Sequence, residues 1–203
     1  PMQSHPKHLP ARERRAGTVA AVLALAAEQN PDGITTAAIA GRMNLSQGAL
    51  FRHFPNKEAL WLAVMEWVAD QLLTRVDRAA NESNSPGAAL EAMFMTHIDF
   101  IIEHPGVPRM LFSELQHAGE TPAKITVHAL LRQYGERLRQ IIQLGQNQGE
   151  LSPDIDPAAA ATMYIGTIQG LLMQAMIVGN VERMRLSVPG ALALYRRAIW
   201  RQS

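Results

Sequence analysis

Apolar residues along this chain recur mainly at intervals of three and four positions, the spacing that places side chains on one face of an α-helix. No segment alternates apolar and polar residues as a half-buried β-strand does, and no segment repeats another. The pattern therefore predicts an all-α protein with about nine helices.

Two of the predicted helices are short and lie close together in residues 35–54. Ile39 and Met43 share an apolar face of the first helix, and Leu50 and Phe54, four positions apart, can hold the second helix against it. Two such helices joined by a tight turn form a helix-turn-helix, whose second helix enters the major groove of DNA. An ordinary helical hairpin with a solvated polar face has the same periodicity, so the pattern leaves both interpretations open.

The residues between the two helices favour a sharp turn. Asn44 tolerates the left-handed backbone conformation that an abrupt helix exit needs. Leu45 is predicted to fill the angle between the helices, and Ser46 can cap the second helix with its hydroxyl group.

The outward face of the second helix carries groups that suit DNA. A Gln side chain can form paired hydrogen bonds with a base edge, and an Arg side chain can do so with guanine or bind a phosphate. A glycine lowers helix stability but lets the backbone approach DNA closely. The face consists of Gln47, Gly48, Phe51, Arg52 and His53.

Residues 19–64, with LSQGALFRHFPNKEAL at their centre, resemble the DNA-binding domain of the TetR (tetracycline-repressor-like) family of transcriptional regulators. The resemblance is specific in the order Ser-x-Gly-x-Leu-aromatic-x-His-Phe-x-x-Lys-Glu-x-Leu, and beyond residue 76 it is only architectural. The family commonly has Tyr where this chain has Phe51, so this ring cannot donate a hydrogen bond to a phosphate. It can pack only against a sugar or a thymine methyl group.

The resemblance implies a DNA-binding domain in residues 1–57 and a helical effector-binding and dimerisation domain in residues 58–203. Lys57 lies where the family contacts a phosphate, and a Thr hydroxyl at the start of the first motif helix can bond another. The predicted DNA-binding residues are Thr35, Thr36, Ser46, Gln47, Gly48, Phe51, Arg52, His53 and Lys57.

Charge is distributed unevenly along the chain. Residues 1–57 hold seven Lys and Arg against three acidic residues, a net charge of +4, whereas the remainder has a net charge of −3. A basic N-terminal domain suits the binding of a polyanion. Residues 1–10, with Lys7, are predicted to form a basic arm that reaches along DNA phosphates, although a solvated tail fits equally well.

The chain has no cysteine, which excludes disulfides, a thiol redox sensor and a thiolate metal site. Its first ten residues are polar and contain proline, unlike a signal peptide, so a cytoplasmic location is expected. Residues 60–76 are apolar over more than half of the circumference of a helix, which we expect to connect the two domains.

Residues 157–181 contain no charged residue, which raises the alternative of a membrane span. Glutamine, asparagine and threonine within the stretch, and the lack of a flanking basic cluster, favour instead a helix buried on two sides. Because the TetR-like family dimerises through its C-terminal helices, we expect a homodimer without membrane contact. The predicted interface residues are Gly166, Gly170, Leu172, Leu192, Tyr195 and Ile199.

Methionine and aromatic residues of the middle helices can form an ordinary core or line a ligand cavity. The resemblance implies a cavity for a small effector, which the apolar lining predicts to be largely apolar. The predicted lining is Trp67, Met93, Phe94, His97, Phe100, Phe112, Tyr134, Gln169 and Met173.

Catalytic and metal sites are not predicted. Ser113 and His117 lie near each other in sequence, but no nucleophile-elbow motif or Gly-rich phosphate loop accompanies them. His97 and His104 lack the tight spacing of a ligand pair, and no cofactor is expected. The sequence therefore predicts a homodimeric, non-enzymatic repressor that binds a palindromic double-stranded DNA operator and is released by a small apolar effector. The alternative is a helical ligand-binding or scaffold module that does not bind DNA.

Overall fold

A computed structural model of the protein describes residues 11–201, which form nine α-helices and no β-strand. This confirms the all-α prediction and the predicted number of helices. A single bridge pairs Leu151 with Trp200, and short 3₁₀ turns occupy Pro31–Gly33 and Val181–Arg183. The helices are α1 Ala11–Glu28, α2 Thr36–Arg42, α3 Gln47–Phe51, α4 Lys57–Asn81, α5 Pro86–Glu103, α6 Gly106–Leu115, α7 Pro122–Asn147, α8 Pro157–Val178 and α9 Met184–Ile199.

The helices are distributed over two compact units. The first contains the chain as far as Trp67 together with Gly106–Lys124, and the second contains Val68–Pro105 together with the chain from Ile125 onwards. The predicted domain boundary after residue 57 falls inside the first unit, and α6 belongs to the first unit although it lies in the middle of the sequence.

The first unit is built on the apolar face of α1, against which α6 packs closely. Gly106, the first residue of α6, lies directly on the α1 backbone. A Cβ atom at this position would be 2.1 Å from the carbonyl oxygen of Leu23, so only glycine fits without movement of the helix.

The second unit has a core of aromatic side chains from four helices. Tyr134 of α7, Tyr164 of α8 and Tyr195 of α9 are all buried, and Phe94 of α5 meets the Tyr164 ring edge-on at 5.3 Å. The Tyr164 hydroxyl donates to the carbonyl of Leu90, and the Tyr195 hydroxyl donates to a carbonyl of α8, each at 2.8 Å. Burial raises the pKa of all three phenols, which are therefore neutral.

Prolines lie within two of the helices and shortly after a third. Pro108 is the third residue of α6, where a backbone N–H has no partner within the helix. Helix α9 begins at Met184 and includes Pro189. Helix α3 ends at Phe51, four residues before Pro55.

Helix α8 has the length and apolar composition of a membrane-spanning helix, with a mean hydropathy of 1.3 over its most apolar stretch. One such helix is weak evidence for a membrane span, because a core helix of a soluble protein can have the same length and composition. Its buried side chains are Ala160, Ala161, Tyr164, Ile168, Leu171, Leu172 and Ala175, which form one face.

Candidate nucleic-acid interface

The turn between α2 and α3 has the geometry of a helix-turn-helix. Asn44 has a φ of 53°, the left-handed conformation predicted for it. Thr35 accepts a hydrogen bond from the Ala38 amide, and Ser46 accepts one from the Ala49 amide, each at 3.1 Å. The predicted cap at Ser46 is therefore confirmed.

The apolar contacts of the motif come from fewer residues than expected. Ile39, Leu50 and Phe54 are almost completely buried in the first unit. Leu45, which was expected to fill the angle between the helices, is 37% exposed. The turn is so tight that the Leu45 amide bonds back to the Ala40 carbonyl at 2.9 Å, and its side chain lies at the surface.

The predicted base-reading residues are all exposed. Gln47, Gly48 and Phe51 belong to α3, whereas Arg52 and His53 follow it in a turn. A Cβ atom on Gly48 would meet only the Ser46 hydroxyl, at 3.9 Å. The fold of the first unit therefore does not itself require glycine at this position.

Basic side chains flank this surface, some of them already paired. Arg14 of α1 lies 3.4 Å from the His53 ring. Arg15 forms an ion pair with Glu66 at 2.7 Å, and Arg42 forms one with Glu28 at 2.6 Å. The predicted arm of residues 1–10, with Lys7, lies outside the described residues.

Lys57, the predicted phosphate ligand, is the first residue of α4 and is held on two sides. Its ammonium group donates to the backbone carbonyl of Asp32 at 3.3 Å and lies 4.8 Å from the centre of the Trp61 ring. Thr36 is half-buried at the first position of α2. Asp32 was not identified from the sequence, because its contact with Lys57 spans 25 positions.

The predicted effector residues are only partly brought together. Met93, Phe94, Phe100 and Tyr134 are buried in the second unit, and the half-buried His97 ring is 5.4 Å from that of Tyr134. Phe112 and Trp67 belong to the first unit instead.

Two further predicted lining residues, Gln169 and Met173, are exposed on α8. They lie on the side of that helix opposite Tyr164 and Ile168, which face the core, so they do not line a cavity within the second unit.

His97 and Tyr134 form an uncharged polar pair in this aromatic region. Burial lowers the pKa of His97 to about 4, so its imidazole is neutral at pH 7. The His97 Nδ1 is buried without a hydrogen-bond partner, whereas the Tyr134 hydroxyl interacts with the hydroxyl of Tyr164. Tyr164, the nearest phenol to Tyr134, gives its own proton to Leu90.

The predicted dimer residues also divide into two groups. Leu172, Tyr195 and Ile199 are buried within the protomer and belong to its core. Leu192 is half-buried. Gly166 lies on the exposed face of α8 and Gly170 at its edge, and a Cβ atom on either glycine would meet open space.

An exposed apolar surface on α8 and α9 was missed as a set by the sequence analysis. The sequence feature that indicates it is a second set of apolar residues in α8 at helical spacing, on the side opposite the residues that face the core. The surface, called here the α8–α9 stripe, consists of Met163, Met173, Ile177, Leu186 and Leu194, with exposed fractions between 43% and 78%.

Ser113 and His117 do not form a nucleophile–base pair. The Ser113 hydroxyl donates to the Asp32 carboxylate at 2.5 Å, and the His117 ring lies 3.8 Å from the buried Glu114 carboxylate. Among residues 11–201, no three His, Asp or Glu side chains come together as a metal site would require.

The N-terminal segment matches the profile of bacterial regulatory proteins of the tetR family over residues 19–64. A second profile, the tetracyclin repressor-like C-terminal domain, matches residues 83–173. Nucleoid occlusion factor SlmA from Marinomonas sp. (strain MWYL1) is 30% identical over 150 residues, which cover 73% of this chain and 76% of that protein.

Solved structures show the same fold at low sequence identity. A TetR transcriptional regulator from Chloroflexus aurantiacus J-10-fl superposes with a TM-score of 0.80 at 20% identity, covering 95% of this chain and 98% of that one. FadR from Bacillus subtilis in complex with stearoyl-CoA gives 0.78 at 18% identity, covering 89% and 96%. SmeT, in a complex with triclosan, gives 0.75 at 22% identity, covering 94% and 93%.

The capped helix-turn-helix, its exposed polar face and the two family matches agree with one another. The chain therefore belongs to the TetR family of bacterial regulatory proteins and is a DNA-binding regulator.

Proposed function

We propose that the protein is a homodimeric repressor that binds a palindromic operator and is released by a small, largely apolar effector. The observation that carries the DNA-binding part is the exposed Gln47–His53 surface on a motif whose apolar residues are buried. Gln47 and Arg52 are the base-reading candidates, while Phe51 offers an apolar ring to a sugar or a thymine methyl group.

The phosphate contacts come from the residues around this surface. Thr35 accepts a backbone hydrogen bond through its hydroxyl oxygen, which leaves the hydroxyl proton available to a phosphate. Lys57 contributes a cation at the start of α4, and Arg14 with His53 lies beside α3. Such contacts fix the register of the protein on DNA without reading its sequence.

Affinity measurements on four proteins test this assignment. Gln47→Ala and Arg52→Ala should each weaken operator binding by about 1–3 kcal/mol and relax the preference at one base pair. Arg132→Ala, at an exposed arginine of α7 in the second unit, removes a positive charge elsewhere and should leave the preference intact. Unchanged operator affinity and unchanged base preference in both Gln47→Ala and Arg52→Ala would contradict the base-reading role.

The homodimer is supported by the α8–α9 stripe. Exposed apolar patches on soluble proteins commonly mark interfaces, and burying one large aliphatic side chain contributes about 1.5–3 kcal/mol. Gly166 and Gly170 allow a partner backbone to come close, because they have no side chain on that face. Two-fold symmetry would pair the stripe with the same stripe of a second protomer. The two helix-turn-helix motifs would then bind the two halves of a palindrome.

The effector site is supported by the aromatic region around Tyr134. Buried polar atoms normally have partners, so the unpartnered His97 Nδ1 suits a ligand with one uncharged polar group on an apolar body. The stearoyl chain of the ligand in the FadR complex and the triclosan of the SmeT complex motivate a ligand with an apolar body. Release requires that the effector bind the DNA-incompetent state more tightly than the DNA-bound state. Helix α4 contains the boundary between the units and is the element proposed to transmit the effect of the ligand.

A second candidate function is nucleoid occlusion, which the sequence identity with nucleoid occlusion factor SlmA suggests. Mapping of the binding sites across the source genome separates the two functions. A repressor should occupy a few sites at promoters, whereas a nucleoid occlusion factor should occupy many sites that are unrelated to promoters.

A further inference from the structure

Asp32 joins two parts of the first unit that are far apart in sequence. It lies in the 3₁₀ turn Pro31–Gly33, between α1 and α2. Its carboxylate accepts the hydroxyl proton of Ser113 at 2.5 Å, across 81 positions. Its backbone carbonyl accepts a hydrogen bond from the ammonium group of Lys57 at 3.3 Å.

The turn that carries Asp32 is itself fixed. The Asn30 side chain accepts a hydrogen bond from the Asp32 amide at 3.0 Å, and the Ile34 amide donates one to the Pro31 carbonyl at 3.0 Å. Pro31 and Ile34 are buried. The Asp32 carbonyl therefore moves only with the whole turn.

Ser113 is fixed as well, because it lies in the last turns of α6. Both Ser113 and its neighbour Glu114 are buried, and Glu114 accepts the hydroxyl proton of Thr121. The other end of α6 packs without a side chain against α1 through Gly106. A rigid helix thus carries the hydroxyl that orients Asp32.

Lys57 retains donors for DNA in this arrangement. An ammonium group has three N–H donors, of which the Asp32 carbonyl takes one. The centre of the Trp61 ring lies 4.8 Å from the ammonium nitrogen. A lysine held in one rotamer loses less conformational entropy on binding a phosphate than a free one does.

We propose that Ser113, acting through Asp32, is a positioning residue for the contact between Lys57 and a DNA phosphate. This rests on the phosphate role proposed above for Lys57. Ser113 touches no DNA, and its effect on affinity passes through the Asp32 turn. It follows that the effect of Ser113 depends on the presence of the Lys57 side chain.

A double-mutant cycle tests the proposal: operator affinity is measured by fluorescence anisotropy on the full chain, with an operator first selected from a random DNA library. Ser113→Ala should weaken binding about three- to tenfold when Lys57 is present and leave it almost unchanged in the Lys57→Ala background. Equal losses in both backgrounds would show a general effect on the fold and overturn the positioning role alone. No loss from Lys57→Ala itself would overturn the phosphate contact and the positioning together.

A pair of variants at the exposed Asp32 keeps the test decisive if Ser113→Ala does not fold. Asp32→Asn and Asp32→Ala remove the same negative charge, but only Asn keeps an oxygen that can accept from Ser113. Asn should bind the operator more tightly than Ala, and only when Lys57 is present. Equal affinity for the two variants would overturn the proposal.

Discussion

Replacement of Gly106 by Ala tests the packing of α6 on α1. The new Cβ would lie 2.1 Å from the Leu23 carbonyl oxygen and 3.2 Å from the Ala27 amide nitrogen. Both are backbone atoms of α1, which cannot turn away as a flexible side chain would. Because nonbonded atoms normally stay about 3.5 Å apart, α6 must retreat by roughly 1 Å or more.

Overpacking of this kind costs about 1–3 kcal/mol, and for a protein of this size each kcal/mol lowers the melting temperature by about 2–4 °C. Gly135→Ala is the matched control, because a Cβ there would meet open space in the middle of α7. Alanine should raise stability at Gly135 by about 0.5–1 kcal/mol, since glycine is unfavourable inside a helix.

Thermal unfolding at equal protein concentration measures both effects. We expect Gly106→Ala to melt several degrees below the unsubstituted protein and Gly135→Ala to melt at or above it. If Gly106→Ala is as stable as the unsubstituted protein, the close approach of α6 to α1 is refuted.

Three further substitutions test separate parts of the account. Lys57→Ala should weaken binding to all DNA sequences alike and reduce the slope of log affinity against log salt by about 0.9, as expected for one lost phosphate contact; an unchanged slope would argue against that contact. Ile177→Glu, at the most exposed residue of the α8–α9 stripe, should give a folded monomer in sedimentation. Gln143→Glu, at an exposed position of α7, should stay dimeric. His97→Phe should reduce acid sensitivity, because the unfolded chain protonates His97 near pH 6.5 and the folded protein only near pH 4. Stability should therefore fall as the pH drops from 6.5 to 4, by at most about 3 kcal/mol, and this part of the fall should be missing from the variant.

Local features of the DNA-binding motif could be predicted because short-range chemistry determines them. The left-handed Asn44 and the Ser46 cap each depend on residues within four positions. The early end of α3 has a local cause as well. Phe54 precedes Pro55, and the residue before a proline is disfavoured in the helical region, so the chain leaves the helix before Phe54 turns into the core.

Packing partners could not be predicted in the same way. Periodicity shows that one face of α9 is buried, but not whether its own protomer or a second copy covers it. Tyr195 and Ile199 were assigned to the dimer for that reason, although they lie in the protomer core. The place of α6 in the first unit depends on Gly106, which packs on the backbone of α1. The sequence shows the glycine, but it does not show which helix lies against it.

Selection from a random double-stranded DNA library with the purified protein tests the central claim most directly. We expect enrichment of an inverted repeat, with the preference at one base pair of each half-site lost in Arg52→Ala. Absence of any enriched sequence, or an identical enriched sequence for the unsubstituted protein, Gln47→Ala and Arg52→Ala, would contradict specific DNA reading by this surface.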